Sequence, residues 1–267
     1  MKPIAVDLFA GCGGFSLGLL MAGWDVRVAV EYDKWAAETY RYNHKKTVLL
    51  EQDITTLKGW DILVKARINK GDLDLLVGGP PCQGFTTANP KRSTTDPRSK
   101  LMWEFIRMTK ELEPKYFMIE NVPGLLSFKD FFILLMKTLE DTGYVVRCLM
   151  MDAVDYGVPQ HRKRIFIHGA RKDLNMIPVF PTPTHYDPDK EKGFKKNQIS
   201  PALIRNHCFA INGFPKEEVK DLYWNSVLNI QMNKKTAAQV LDVAVIRFIA
   251  DNIARKKRKE KLDKGYH

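Results

Sequence analysis

Short apolar runs alternate along the first 170 residues with stretches whose apolar positions recur at helical spacing. Seven of these runs have the length and the valine, isoleucine and leucine content typical of buried strands. They lie at residues 3–10, 24–31, 47–54, 73–79, 115–122, 145–153 and 164–170. Helical patterns fall between them at 11–23, 33–44, 100–114 and 128–144. Strand–helix alternation of this kind predicts an α/β fold with a doubly wound, mostly parallel sheet.

The pattern of apolar and polar residues changes after Ala170. Residues 176–198 hold four prolines and many charges without periodicity, which is typical of loops. An apolar helical pattern returns at 236–257. We therefore expect a main domain over 1–170, a reduced, vestigial second region over 171–215, and a C-terminal helical segment over 216–267 that packs back on the main domain.

The charge balance favours a polyanionic partner. The formal net charge is +11 and the sequence pI is about 9.4, which makes nucleic acid the first candidate, with lysine-rich solubility as the alternative. The four cysteines show no metal-binding spacing, and we expect no metal. Neither a signal peptide nor an apolar run of membrane-spanning length is evident, so we expect a cytoplasmic or nucleoid-associated protein with no membrane partner.

Polar residues follow the first three predicted strands, where a doubly wound sheet binds its ligands. The stretch "DLFAGCGGFSLGL" forms a glycine turn into a helix, but it is not GxGxxG and has no Walker lysine, which argues against a phosphate cradle. Glu31 could hold two ribose hydroxyls, Asp53 an adenine amino group, and Phe9 an adenine face. Each carboxylate alone is more often a solvent-facing residue at the end of a strand. Together they favour an adenosine-type cofactor without phosphates.

The fourth predicted strand ends in "GGPPCQGF". Pro80 and Pro81 restrict the backbone in front of Cys82, and the glycines on either side let a substrate approach. A nucleophilic thiol needs this kind of fixed, accessible loop. Glu120 ends the next strand and could face the same pocket. The pairing suits addition of sulfur to a ring that is protonated at the same time.

The chain resembles the cytosine-C5 DNA methyltransferases, which use S-adenosylmethionine. The matching stretches are "DLFAGCGGFSLGL", "EYD", "QDI", "GGPPCQGFTTAN", "DPRSKL", "ENVPGLL" and "QHRKRIFIHG", in family order across roughly Pro3 to Gly169. The succession of PCQ, ENV and QxRxR is a very specific signal. The resemblance implies the Rossmann-like fold of S-adenosylmethionine-dependent methyltransferases, with 171–215 as a reduced target-recognition region.

The resemblance also implies residue roles. Cys82 would attack C6 of a cytosine rotated out of duplex DNA, Glu120 would hold N3 and the exocyclic amine, Arg164 would hold O2, and Arg162 would support Glu120 or the loop. The implied cofactor-binding residues are Asp7, Phe9, Gly11, Gly13, Gly14, Glu31, Tyr32, Asp53, Ile54, Pro81, Leu101, Lys234 and Thr236. The implied nucleic-acid contacts are Gln83, Lys91, Arg92 and Arg98.

The chain departs from the family pattern in two places. About eighteen residues separate His185 from Leu203, where the family carries a long recognition segment. This suggests a very short target site, none, or specificity supplied by a partner subunit. In "NIQMNKKTAAQV", Lys234 takes the position of the family's asparagine. Either Lys234 faces solvent, or the alignment is shifted, or the lysine pairs with the extra carboxylate of carboxy-S-adenosylmethionine and the enzyme transfers a carboxymethyl group.

Two further functions stay open at this stage. One branch of the family modifies tRNA, so the substrate could be RNA. The protein could also be a non-catalytic DNA-binding subunit. The presence of Cys82, Glu120 and Arg164 argues against that function.

Overall fold

A computed structural model describes residues 2–81, 100–156, 158 and 161–181. Within these ranges seven strands form one sheet in the order β3-β2-β1-β4-β5-β7-β6. The strands are β1 Ile4–Leu8, β2 Asp25–Val30, β3 Val48–Leu50, β4 Leu75–Gly78, β5 Tyr116–Asn121, β6 Tyr144–Asp152 and β7 Lys163–Arg171. All seven fall within the predicted runs or overlap them closely.

The first five strands are parallel, whereas β7 pairs antiparallel with both β5 and β6. The carboxyl ends of β1 to β5 therefore share one edge of the sheet, and the start of β7 joins them there. The fold class predicted from the sequence, an α/β sheet with mostly parallel strands, is confirmed.

Helices cover both faces of the sheet. They are α1 Gly14–Met21, α2 Lys34–Asn43, α3 Gly59–Ala66, α4 Lys100–Leu112 and α5 Lys129–Asp141. Side chains of α3, α4 and α5 join one large apolar cluster, while α1 packs into a second cluster on the other face. No helix was predicted from the sequence at α3. This helix has eight residues, of which Ile62 and Leu63 are among the buried ones. It is too short to give a clear helical period of apolar positions.

The stretch after β7 returns across the α1 face of the sheet. The Tyr116 hydroxyl donates to Met176 Sδ at 2.9 Å, and the Tyr156 hydroxyl donates to the Pro181 carbonyl at 3.1 Å. His168 lies between the rings of Tyr116 and Phe180, and burial lowers its pKa to about 4. Residues 172–181 thus pack on the main domain, and the predicted division at residue 170 stays a prediction.

None of the helices in the part of the chain that the structure describes has the length and apolar character needed to cross a bilayer.

Candidate active site

The turn after β1 is held by backbone hydrogen bonds and one carboxylate. Gly13 N–H donates to the Ala10 carbonyl at 2.9 Å, and Gly11 N–H donates to Glu31 Oε2 at 2.7 Å. Phe9 has a φ of 57°, a left-handed conformation that side-chain-bearing residues seldom adopt. A Cβ built on Gly11 meets nothing within 4 Å. The turn therefore presents bare backbone to open space at the edge of the sheet, beside the first turn of α1 at Gly14.

Two carboxylates stand at the ends of β2 and β3. Both oxygens of Glu31 accept backbone N–H groups, Oε2 from Gly11 and Oε1 from Asp33 at 2.7 Å. Asp53 accepts from Thr55 N–H at 2.9 Å. A carboxylate has about four acceptor positions, so each side chain keeps capacity for a ligand hydroxyl or amino group.

The neighbours of these carboxylates differ in exposure. Tyr32 is 75% exposed, whereas Ile54 is buried and Phe9 and Leu101 are partly buried against the same apolar cluster. Phe9, Glu31 and Asp53 follow the parallel strands β1, β2 and β3, so they lie at the same edge of the sheet, and Leu101 is the second residue of α4.

Asp7 lies beneath the turn rather than on its open side. Its side chain is fully buried, and Oδ2 accepts from Ser16 N–H at 3.1 Å and from Ser16 Oγ–H at 2.7 Å. Burial raises the Asp7 pKa to about 7, and the nearby Glu31 charge adds to the rise. This placement favours support of the turn over direct contact with a cofactor.

Glu120 and Arg164 meet at the same edge, between β5 and β7. Arg164 Nε lies 2.6 Å from Glu120 Oε1, with both side chains largely shielded from solvent. The antiparallel register pairs Glu120 with Phe166, which brings the start of β7 beside the end of β5. The ion pair thus involves the arginine for which the family resemblance implies a contact with the base. For Arg162 the structure shows a backbone N–H donating to Asp152 Oδ1 at 2.8 Å.

The exit from β4 passes directly over Glu120. A Cβ built on Gly79 would lie 3.4 Å from Glu120 Oε2, so the backbone of this exit lies close to the carboxylate. Asn121 Nδ2 donates to the Pro80 carbonyl at 3.3 Å and ties the end of β5 to the same exit. Pro81 is the last described residue before the gap, and Cys82 follows it in the chain.

Several predicted site residues lie outside the described ranges. They are Cys82, Gln83, Lys91, Arg92, Arg98, Lys234 and Thr236.

Comparison with known proteins decides the family. The family model for C-5 cytosine-specific DNA methylases matches residues 4–203. The chain belongs to the C-5 cytosine-specific DNA methylase family. The resemblance predicted from the motifs is confirmed.

Named relatives agree with this membership. The chain is 41% identical over 183 residues to the Type II methyltransferase M.DdeI of Desulfomicrobium norvegicum, which covers 67% of this chain and 43% of the relative. It is 40% identical over 197 residues to M.FnuDI of Fusobacterium nucleatum, which covers 73% of this chain and 54% of the relative. The chain spans about half the length of these methylases.

A solved structure has the same fold. A crystal structure from E. coli, described as a prophage-encoded DNA modification methyltransferase, superposes with a TM-score of 0.60 at 32% identity. The superposition covers 70% of this chain and 52% of that one.

Tyr40 of α2 and His44, the residue directly after this helix, lie against the glycine turn of this methylase and were not predicted from the sequence. No local motif marks them. A signal exists only in their spacing, which puts both on one face of α2, and that spacing also fits ordinary core packing.

Proposed function

We propose that this methylase transfers a methyl group from S-adenosylmethionine to C5 of a cytosine rotated out of duplex DNA, through a transient bond between Cys82 Sγ and C6. The proposal rests chiefly on the Glu120–Arg164 ion pair, which lies at the exit of β4 that leads into Cys82. A shielded carboxyl group beside a nucleophile loop suits a reaction that needs both in one pocket.

The residues at the sheet edge fit an adenosyl cofactor. Glu31 and Asp53 keep acceptor capacity for ribose hydroxyls and the adenine amino group, and the turn at Gly11 leaves space for a ligand. Carboxylates at both strand ends disfavour phosphate and suit a ligand that carries positive charge. When bound, S-adenosylmethionine supplies an electrophilic methyl group that C5 of the base takes up.

The protein groups divide the remaining chemistry. The Cys82 thiolate forms a bond to C6 and pushes the ring electrons toward C5, while the Glu120 carboxyl shares a proton with N3 so that negative charge does not build up on the ring. Arg164 orients Glu120 and pairs with the carboxylate that remains when N3 takes up the proton. After C5 has gained the methyl group, its proton passes to a solvent base, the C5–C6 double bond reforms as the bond to sulfur breaks, and N3 returns its proton to Glu120. Rotation of the base out of the duplex brings it within reach of these groups.

Mass spectrometry of nucleosides tests the proposal directly. Duplex DNA incubated with the full chain and S-adenosylmethionine should yield 5-methylcytosine, and Cys82→Ala should yield none. DNA carrying 5-fluorocytosine should remain covalently attached to the protein and not to Cys82→Ala. Absence of 5-methylcytosine while S-adenosylmethionine still binds would refute the activity and favour a DNA-binding subunit.

The role of Glu120 has its own test. Glu120→Gln should lower kcat by about 10²- to 10³-fold, because the amide cannot share a proton with N3. The cofactor dissociation constant should not change. Glu113→Gln is the matched control, since Glu113 forms an exposed ion pair with Lys70 away from the site. Equal kcat values for Glu120→Gln and the unaltered protein would remove Glu120 from the mechanism.

Two further measurements identify the donor and the substrate. Lys234 motivates a trial of carboxy-S-adenosylmethionine, which would give 5-carboxymethylcytosine. Faster methyl than carboxymethyl transfer by the unaltered protein would exclude the carboxymethyl reaction. Competition between duplex DNA and tRNA would decide between DNA and RNA as substrate.

The short region after His185 motivates a proposal on specificity: the chain recognises a very short site or relies on a partner subunit. Bisulfite sequencing of DNA modified by the purified protein measures this. Modification confined to one site of four or more base pairs would contradict it.

A further inference from the structure

Two side chains at the C-terminal end of α2, one in the helix and one directly after it, pack under the glycine turn. Tyr40 is fully buried and His44 is 5% exposed, and their ring centroids lie 4.4 Å apart. A Cβ built on Gly13 would lie 2.1 Å from His44 Nε2 and 3.0 Å from Tyr40 Cδ2. Both rings therefore press against the backbone of Gly13, which has a φ of 95°.

Burial and the contact with the turn act in opposite directions on the pKa of His44. Burial lowers the pKa of His44, and a hydrogen bond with the Gly13 backbone opposes this only in part. Because this hydrogen bond raises the pKa, the ring N–H must be the donor and the Gly13 carbonyl the acceptor. Nδ1 is buried, and among the described residues it has no hydrogen-bond partner. The ring thus offers one donor to the turn.

The tyrosine reaches the start of α1 through Ser16. The Tyr40 hydroxyl lies 2.6 Å from Ser16 Oγ, and Ser16 donates through both its N–H and its hydroxyl to Asp7 Oδ2. Ser16 of α1 is therefore hydrogen-bonded both to β1, through Asp7, and to α2, through Tyr40. The turn between β1 and α1 carries Gly11, whose N–H donates to Glu31, the predicted ribose-binding residue.

We propose that Tyr40 and His44 are positioning residues that set the affinity of this methylase for its adenosyl cofactor. They fix Gly13 and Ser16, and through the bond from Gly13 N–H to the Ala10 carbonyl they fix the turn that places Gly11 against Glu31. This inference rests on the proposed function, because it takes the ligand of the turn to be an adenosyl compound.

The test uses the full chain and S-adenosylhomocysteine as the probe. Tyr40→Phe removes only the hydroxyl, and His44→Phe keeps the ring while removing the donor. Each should raise the dissociation constant, measured by calorimetry, by about 5- to 30-fold, the range expected for one buried hydrogen bond to an ordered turn. The KM for S-adenosylmethionine should rise in parallel, with kcat at saturating cofactor unchanged.

Tyr144→Phe is the matched control. Tyr144 is buried and its hydroxyl donates to the Pro114 carbonyl at 2.6 Å, at the opposite edge of the sheet from the site. It should lower the thermal midpoint about as much as Tyr40→Phe and leave the dissociation constant unchanged. Ser16→Ala, which removes the shared hydroxyl and keeps both rings, is the second variant if either ring substitution fails to fold.

The outcomes separate the two proposals. An unchanged dissociation constant in Tyr40→Phe, His44→Phe and Ser16→Ala, or an equal rise in Tyr144→Phe, would overturn the positioning role while the cofactor assignment stands. Failure of the unaltered protein to bind S-adenosylhomocysteine would overturn the proposed function, and this inference with it.

Discussion

Asp7 shows how one buried carboxyl group can link the glycine turn to pH. Its Oδ2 is satisfied by Ser16, but its Oδ1 is buried and has no hydrogen-bond partner among the described residues. An ionised carboxylate in this position is costly, which is why the Asp7 pKa rises from 3.8 to about 7. The groups that face it are Ser16 from α1, Tyr40 from α2 and the charge of Glu31 after β2.

The sign of the effect on stability follows from proton binding. Between pH 4 and 7 the folded state holds the Asp7 proton and the unfolded state releases it, so the contribution of Asp7 to stability falls as pH rises through this window and is level above it. The rise in the Asp7 pKa corresponds to about 4 kcal/mol in the free energy of unfolding. Chemical denaturation at pH 5 and pH 8 should show Asp7→Asn gaining free energy of unfolding relative to the unaltered protein at the higher pH. A constant difference between the two proteins would show that Asp7 does not titrate in this range.

At this scale the sequence located some residues and not others. Glu31, Asp53 and Glu120 were predictable because parallel strands end at one edge of a sheet, so strand-end carboxylates must be neighbours there. The Arg164–Glu120 contact depends on β7 entering antiparallel beside β5, which no local pattern encodes. The packing of Tyr40 and His44 under the glycine turn depends on the rotation of α2 about its axis, and both residues have the spacing of ordinary core positions.

Among the elements, α4 links the end of the segment that follows Cys82 to the predicted adenine site. Arg107 donates to the Ile54 carbonyl at 2.8 Å and forms ion pairs with Glu104 and Glu111. Glu111 also accepts from Gly59 N–H. Through these bonds α4 holds the single 3₁₀ turn Ile54–Thr56, which follows Asp53, and the start of α3.

Arg107→Lys should weaken the binding of S-adenosylhomocysteine by about 3- to 10-fold, since lysine cannot reach the carbonyl and two carboxylates with one planar group. Arg27→Lys is the control. Arg27 also joins an aspartate, Asp25, to a backbone carbonyl, that of Ala66, but at the opposite edge of the sheet. Calorimetry with both variants measures the effect. An equal loss of affinity in both variants would show that Arg107 contributes only to the general stability of the protein.

Strands were more predictable than helices at this scale. Their apolar runs are buried on both faces in the sheet, which gives a strong signal even in the five residues of β1. α3 has no such signal, because only part of its surface is buried and Trp60 and Val64 face solvent.

The whole molecule carries an excess of positive charge that fits the proposed DNA substrate. A net charge of +11 in 267 residues predicts binding dominated by phosphate contacts. The predicted contacts Lys91, Arg92 and Arg98 belong to this set and lie outside the described residues.

Affinity for a duplex without a preferred site should therefore fall by about 10³-fold between 50 and 200 mM salt, as for six phosphate contacts. Fluorescence anisotropy with Cys82→Ala, which cannot form the adduct, measures this without turnover. Replacing Lys91, Arg92 and Arg98 together with alanine should reduce the salt slope by about 3. An affinity independent of salt would mean that the charge serves solubility.

The pairing of β7 with β5 has a consequence for how the length of the chain can vary. Side chains alternate between the two faces of a sheet, so loss of one residue between Arg164 and Phe166 would turn the arginine to the far face. A longer or shorter turn between β6 and β7 would leave that alternation intact. Insertions and deletions among related sequences should accordingly spare the strand.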